Sequence, residues 1–349
     1  MLKSISRKTL LIILIPIVIV GLIGSIFAFS YYRLNYAPNT QNAKEVVIYI
    51  PTGSSFQNVL DTLNKHSILK NQKSFTTVAG RLGYKNNIKA GRYLIKPNTG
   101  NRKLVSMLKM GLQKPLKLTF NNIRTPQQLA GRIAQQIEAD SLSILALLSS
   151  DQVTSGYGFD KATIIAMCIP NTYELYWNTS AKGFLDRMQK EYEKFWNDER
   201  EAKAFKLELT KVQVSTLASI VEEETRFNTE KPRVAGVYIN RLNKGIPLQA
   251  DPTVKFAVGD FGLRRILTKH LEVDSPYNTY KFRGLPPGPI RCPSISSIDA
   301  VLNAEKHSYL YFCAKADFSG YHDFAKTLTE HNRNAEAYRR ALNKERIYR

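Results

Sequence analysis

Three consecutive carboxylates, Glu222, Glu223 and Glu224, end the run Leu217-Ala-Ser-Ile-Val-Glu-Glu-Glu-Thr225, and the third sits where an acid is least expected. At about 100° per residue, Val214, Leu217, Ile220 and Val221 share one helical stripe, Glu224 falls inside it, and Glu222 and Glu223 point away. A carboxyl on an apolar face loses hydration, which raises its pKa and lets it hold a proton near neutral pH for delivery to a leaving group. That is the profile of a general acid. The same placement would also suit an ion pair with one of the chain's many arginines.

More groups of the same kind follow closely. Val237-Tyr-Ile-Asn-Arg-Leu242 is succeeded by Leu248-Gln-Ala-Asp-Pro-Thr-Val254, then Tyr277-Asn-Thr-Tyr280, Gly284-Leu-Pro-Pro-Gly288, Tyr309-Leu-Tyr-Phe312, His322-Asp-Phe324 and His331-Asn332. In order and spacing these resemble the YceG-like endolytic murein transglycosylase family, whose motifs have the forms A-S-I-(I/V)-E-x-E-T, V-x-I-N-R-L and L-Q-x-D-P-T-V. Strong resemblance runs from Val214 to Asn332, and weaker similarity reaches back to Val46. In Ile169-Pro-Asn-Thr-Tyr-Glu174, Asn171 stands where the family carries an acid.

The resemblance implies a lytic transglycosylase that cleaves the MurNAc-GlcNAc bond of nascent peptidoglycan strands and limits their elongation. One Glu, matching Glu224, protonates the leaving oxygen and then acts as base toward the 6-hydroxyl of the same muramyl ring, giving a 1,6-anhydro end without external water. Proximity of that hydroxyl replaces a second nucleophile. Gln249, Asp251, Asn278 and Tyr280 are then expected to line the sugar site, with His322, His331 and Asn332 beside them and Glu222 in support behind. Peptidoglycan synthases at the membrane are the expected partners. Asp251 would take on the role of second carboxylate if the enzyme were a hydrolytic muramidase. A wall-binding membrane protein in which Glu224 merely pairs is the third reading.

These groups need a scaffold, and the N-terminus locates it. Residues 9–32 carry no charge and are long enough, at about 1.5 Å per residue, to cross a hydrocarbon layer of about 30 Å. Lys3, Arg7 and Lys8 precede them, which by the positive-inside rule keeps residues 1–8 cytoplasmic and exports the rest from a bacterial inner membrane as a single-pass protein. A cleavable signal peptide fits less well, since the apolar run exceeds the usual ~7–15 residues. With three of 50 basic residues removed and all 29 acidic ones kept, the exported body carries 47 − 29 = +18. Such a surface suits anionic headgroups or an acidic wall polymer; export and the lack of interleaved stacking aromatics argue against nucleic acid.

Cys168, Cys292 and Cys313 are odd in number and lack metal-ligand spacing, so no metal or other cofactor is expected. Burial as small hydrophobes is the simplest role, with a Cys292–Cys313 bridge as the one disulfide considered. The overall expectation is an α+β protein. A polar link at 33–45 leads to a module at 46–120 whose order of strands and helices resembles a LysM-like domain, either glycan-binding or a spacer. A catalytic domain at 121–345 follows, with a mixed or antiparallel sheet and flanking helices, and a mostly helical stretch from Asp140 to Arg200.

Overall fold

A computed structural model describes residues 7–263 and 265–345. Lys3, and most of the tail expected at 1–8, lie outside the described residues. The chain divides into two compact units: residues up to Lys117 with Glu174–Asn178, and Leu118–Tyr173 with the chain from Thr179 onward.

The first unit begins with α1 (Arg7–Asn35), in which Leu10–Asn35 is long and apolar enough to cross a membrane and has its apolar side chains exposed. Tyr32 and Tyr36 stack with centroids 6.2 Å apart at its C-terminal end, beside Tyr31, amphipathic rings of the kind that sit at a membrane–water interface. The helix outruns the expected span by three residues, and the expected link is not a free one. Asn35 and Asn39 are each 5 % exposed and Thr40 is wholly buried. Asn39 Nδ2 donates to Asn101 Oδ1 (2.6 Å) and to Asn71 O (3.0 Å), while Asn101 Nδ2 donates to Leu34 O (2.9 Å). Polar composition suggested a solvated linker; buried amide pairing makes it part of the fold.

Beyond it come β1 (Val46–Ile50), α2 (Phe56–Lys65), α3 (Gln72–Arg81), β2 (Gly91–Ile95) and α4 (Asn101–Met110). The two strands pair antiparallel with Ile48 opposite Tyr93, so alternate residues Ile48, Ile50, Tyr93 and Ile95 face one way. They meet Leu63 of α2, Phe75 and Val78 of α3 and Leu104 and Leu108 of α4 in a single core. Ser55 starts α2 with a reciprocal capping box to Asn58, and Asn71 caps α3.

The second unit contains β3 (Leu116–Phe120), α5 (Pro126–Ala134), α6 (Ser141–Leu148), α7 (Asp151–Gly156), a 3-10 turn (Ile164–Met167), β4 (Asn171–Leu175), α8 (Ala181–Phe195), α9 (Asp198–Lys206), α10 (Lys211–Glu224), α11 (Lys231–Asn243), α12 (Asp251–Val258), α13 (Thr268–Leu271), α14 (Ile295–Leu302), β5 (Tyr311–Ala314), β6 (His322–Ala325) and α15 (Leu328–Lys344), the first strand beginning just before the boundary and the last two residues of β4 falling in the first unit. At its centre, α10 packs on α9, α11, α12 and α14. Every side chain from Val214 to Val221 is buried, so the helix is enclosed on all sides rather than on the one stripe read from the sequence. Ser215, Thr216 and Ser219 fill the face away from that stripe: small groups admit close neighbours, and Ser219 Oγ donates to Thr216 O and accepts Ile290 N–H (3.0 Å).

One correction concerns the sheet, and the stretch from Asp140 to Arg200 is mostly helical as expected. The expected catalytic-domain sheet is reduced, among the described residues, to the ribbons β3–β4 and β5–β6, the latter antiparallel with Ala314 opposite His322. The stretch from Asp140 to Arg200 is interrupted by β4, whose Tyr173 stacks on Phe120 at 5.8 Å; Pro170 disfavours helix before it, and pairing with β3 is non-local.

Gly288 closes the Pro286-Pro287 loop against the main chain of residues 162–163, and a Cβ there would overlap the Ala162 carbonyl. Backbone cannot move aside as a side-chain tip can, so Gly288→Ala is expected to lower stability by about 1–3 kcal/mol, the usual range for overpacking. Chemical denaturation with an unchanged midpoint would refute this close packing.

Candidate active site

Glu224 is the last residue of α10, and its carboxyl opens into a cleft of about 390 Å³. That volume lies within the range of small-ligand sites. The enclosed helix behind it fixes where the carboxyl emerges. Tyr238, one turn short of the end of α11, is 2 % exposed and donates its hydroxyl to Glu224 Oε1 at 2.5 Å. Burial pushes the Tyr238 phenol well above its ordinary value, so it keeps its proton and remains a donor. With Oε1 taken, Oε2 is the oxygen left to carry the acidic proton.

Burial also pushes Glu224 up to about 7; the Tyr238 hydrogen bond opposes this, while Asp251 and Glu223 add to it. The free carbonyls of the α10 C-terminus disfavour an anion there as well. A carboxyl half-ionised near neutrality suits both halves of an acid-then-base cycle. Tyr238→Phe removes the one nearby hydroxyl that favours the anion. The alkaline limb of the activity profile should therefore move to higher pH, with a fall in rate of about tenfold for the lost hydrogen bond. A limb that stays put or moves down would show that Tyr238 does not govern this proton.

Asp251 opens α12 and receives the Tyr280 hydroxyl at 2.6 Å; both line the cleft with Glu224. Gln249 also lines it, with a left-handed backbone (φ 51) and its N–H on Thr279 O, which turns the chain toward Asp251. Its Oε1 lies 3.3 Å from Arg241 Nη1. The hairpin β5–β6 supplies Tyr311, Phe312 and His322, and α15 supplies His331, stacked on Tyr311 at 5.4 Å. Burial and Arg241 push His331 down, and its Nδ1 is buried without a partner among the described residues.

Three of the residues named from the sequence lie outside the cleft lining, Glu222 among them in keeping with a supporting place. Asn278 is wholly buried beneath the cleft: its Nδ2 donates to Leu271 O and Val273 O, and its Oδ1 accepts Tyr280 N–H at 3.1 Å. It shapes the turn that presents Tyr280, with no surface left for a sugar. Asn332 is exposed outside the lining. Glu222 accepts Ser294 N–H at 2.5 Å and pairs with Arg291 at 3.3 Å, holding the start of α14 rather than facing the cleft. Glu223 is likewise paired, with Arg124 (2.9 Å) and Arg291 (2.5 Å).

Sequence reasoning missed Tyr238, Arg241 and Glu230. Arg241 donates to Leu310 O, Pro247 O and Leu248 O, tying the Gln249 turn to the hairpin from a nearly buried position. Glu230, just before α11, accepts both the backbone N–H (2.8 Å) and Nδ1 (2.9 Å) of His322. Only the motif position of Arg241 offered a signal; the partners of Glu230 lie 92 residues away. Among the described residues no group of His, Cys, Asp and Glu has metal-site geometry. The cysteines are free: Cys168 and Cys292 are buried, Cys292 Sγ faces Ile165 O, and Cys313 faces the cleft, so the considered bridge is not formed.

The YceG-like family profile matches residues 48–337, which includes every side chain of this cleft. The chain belongs to the YceG-like family. It is 32 % identical over 334 residues to the endolytic murein transglycosylase of Bacillus subtilis (strain 168), covering 89 % of this chain and 90 % of that one. It is 28 % identical to the protein so named from Streptococcus pneumoniae serotype 2 (strain D39 / NCTC 7466), covering 89 % of this chain but 62 % of the relative's length. The crystal structure of a YceG-like protein from Listeria monocytogenes superposes with a TM-score of 0.54 at 30 % identity, over 84 % of this chain and 99 % of that one. In this YceG-like chain, then, the cleft at the end of α10 is built on a scaffold that its relatives share.

Proposed function

We propose that this protein is an endolytic murein transglycosylase that cuts the MurNAc-GlcNAc bond of nascent glycan strands and leaves 1,6-anhydro ends. The observation that carries the reading is Glu224 itself: a carboxyl at the end of an enclosed helix, raised to about 7 and held by Tyr238, opening into a cleft with a second carboxylate and several aromatic rings. Glu224 Oε2 delivers its proton to the leaving oxygen as oxocarbenium character develops at C1. Asp251, oriented by Tyr280, supports that positive charge. The 6-hydroxyl then closes onto C1 in place of water.

The rest of the chain agrees with work at a membrane face. The helix α1 anchors the protein with its N-terminus in the cytoplasm, and the +18 body faces the wall, where synthases release the strands. The first unit acts as a LysM-like module for glycan or as a spacer.

Mass spectrometry of uncrosslinked glycan strands digested by the detergent-solubilised full chain tests the reading. Ends lighter than reducing ends by one water support it. Reducing ends that incorporate labelled water would make the enzyme a muramidase with Asp251 as partner, the outcome that the Tyr280–Asp251 contact would then explain. No cleavage would leave a wall-binding protein.

A further inference from the structure

The basic excess is gathered in the smaller of the two units. Residues 33–117 with 174–178 hold 15 lysines and arginines against three acids, a balance of 15 − 3 = +12 within the body's +18, and residues 62–137 contain no acid at all. Of those three acids, Glu45 pairs with Lys96 at 3.8 Å and Asp61 accepts the Gln57 amide at 2.8 Å. The fold gives much of the remaining charge one place. Asn101 Nδ2 donates to Leu34 O at the end of α1 and to Ser74 Oγ in the first turn of α3, both at 2.9 Å, and Lys70 donates its backbone N–H to Asn39 O at 2.8 Å. Arg33, Lys73 and Arg102 are the sequence neighbours of Leu34, Ser74 and Asn101, and Lys103 follows directly. Five exposed cations are thus gathered about the point where α1 enters the unit.

Resting on the anchoring role given to α1, we propose that Arg33, Lys70, Lys73, Arg102 and Lys103 form a collar that binds the phosphates of anionic phospholipids in the leaflet at the C-terminal end of that helix. Tyr31, Tyr32 and Tyr36 are exposed at the same end, and rings of this kind set it at headgroup depth. Charge at that depth acts differently from charge further out. Both α3 and α4 start at the collar and run ten residues away from it, about 15 Å. Salt screens exposed charge beyond about 8 Å at physiological ionic strength. Arg81, Lys85, Lys89 and Lys114 lie at or past the far ends of those two helices, where the lipid phosphates are screened from them. Of the two polyanions that a basic surface suits, headgroups fit this collar better than a wall polymer. The buried amides fix it to the end of the span itself, at the level where lipid phosphates are densest.

The test mixes the full chain, in an uncharged detergent, with equal amounts of phosphatidylglycerol and phosphatidylcholine of the same acyl chains and counts the lipid retained by native mass spectrometry. One cation close to anionic headgroups strengthens association about fivefold, so phosphatidylglycerol should be retained over phosphatidylcholine by about tenfold or more, and less as salt rises. Changing Lys70, Lys73, Arg102 and Lys103 together to Gln should remove about tenfold of that preference, whereas changing Arg81, Lys85, Lys89 and Lys114 together to Gln, an equal loss of charge, should alter it by no more than about threefold. All eight side chains are exposed, so melting curves of both variants should match that of the unaltered chain. Lys70→Gln and Arg102→Gln singly, each expected to lose about fivefold, carry the test if the fourfold collar variant does not fold. A preference that survives in the collar variant, or that falls equally in the far-end variant, would overturn the collar. Displacement of phosphatidylglycerol by inorganic phosphate at equal concentration would overturn it too, as the mark of a small-anion site. The readout involves no cleavage, so the transglycosylase reading stands or falls separately.

Discussion

Glu224→Gln should abolish cleavage and at the same time make the protein harder to unfold above neutral pH. The first effect follows from the lost proton and should reach about 100-fold or more. The second follows from linkage. The folded-state value of about 7 lies above the ordinary 4.5, so the native state favours the protonated form. The resulting stability is fully present below about pH 4.5 and is lost as pH rises through about 7. A difference of about 2.5 units corresponds to about 3 kcal/mol at pH 8, and for a unit of this size to a melting shift of roughly 5–10 °C. Glutamine never ionises, so the variant should melt several degrees higher at pH 8 and nearly level with the parent at pH 4.5. Equal melting curves at both values would mean that the carboxyl is as well hydrated as any on the surface.

Arg291→Ala should produce the largest loss of stability. Arg291 donates to Glu223 and to Asn122 Oδ1 (2.9 Å) and pairs with Glu222, with its side chain only 10 % exposed. Removing it leaves two partly buried carboxylates, Glu223 with Arg124 and Glu222 with only the electrostatic influence of Lys231. Breaking such a pair from one side costs about 3–5 kcal/mol, because the partner charge stays behind. Arg233 also pairs closely with Glu305, at 2.9 Å, yet both side chains are more than 40 % exposed, and Arg233→Ala should cost no more than about 1 kcal/mol. Urea midpoints of the two variants check the contrast. Similar midpoints would remove burial as the deciding factor.

Features set by neighbours in sequence were legible from it. The strands Val46–Ile50 and Leu116–Phe120 and the helices Phe56–Lys65 and Pro126–Ala134 carry their own signals, because alternation, a capping Ser55 and Pro126 at a first turn act within a few residues. Features set by distant partners were not. Ser219 of α10 meets Ile290, 71 residues on, outside the one stripe that periodicity marks. Asn278 has the chemistry of a sugar ligand and spends all of it on a turn. The segment after α1 reads as a polar tether, yet its amides close on residues as far as Asn101. Glu230 and Tyr238 gave no local sign, since each gains its meaning from a group that only the fold brings near.

The closure of that segment makes α1 a lever without a hinge. Its 29 residues, at about 1.5 Å each, form a rod of roughly 44 Å whose last turn is bolted into the first unit by Asn101. In a bilayer, a change of about 10° in tilt, modest beside the ~0–40° found for spanning helices, would swing the base of that unit by about 8 Å. Any change in the tilt of such a helix would thus be passed on to the first unit instead of being absorbed at a joint.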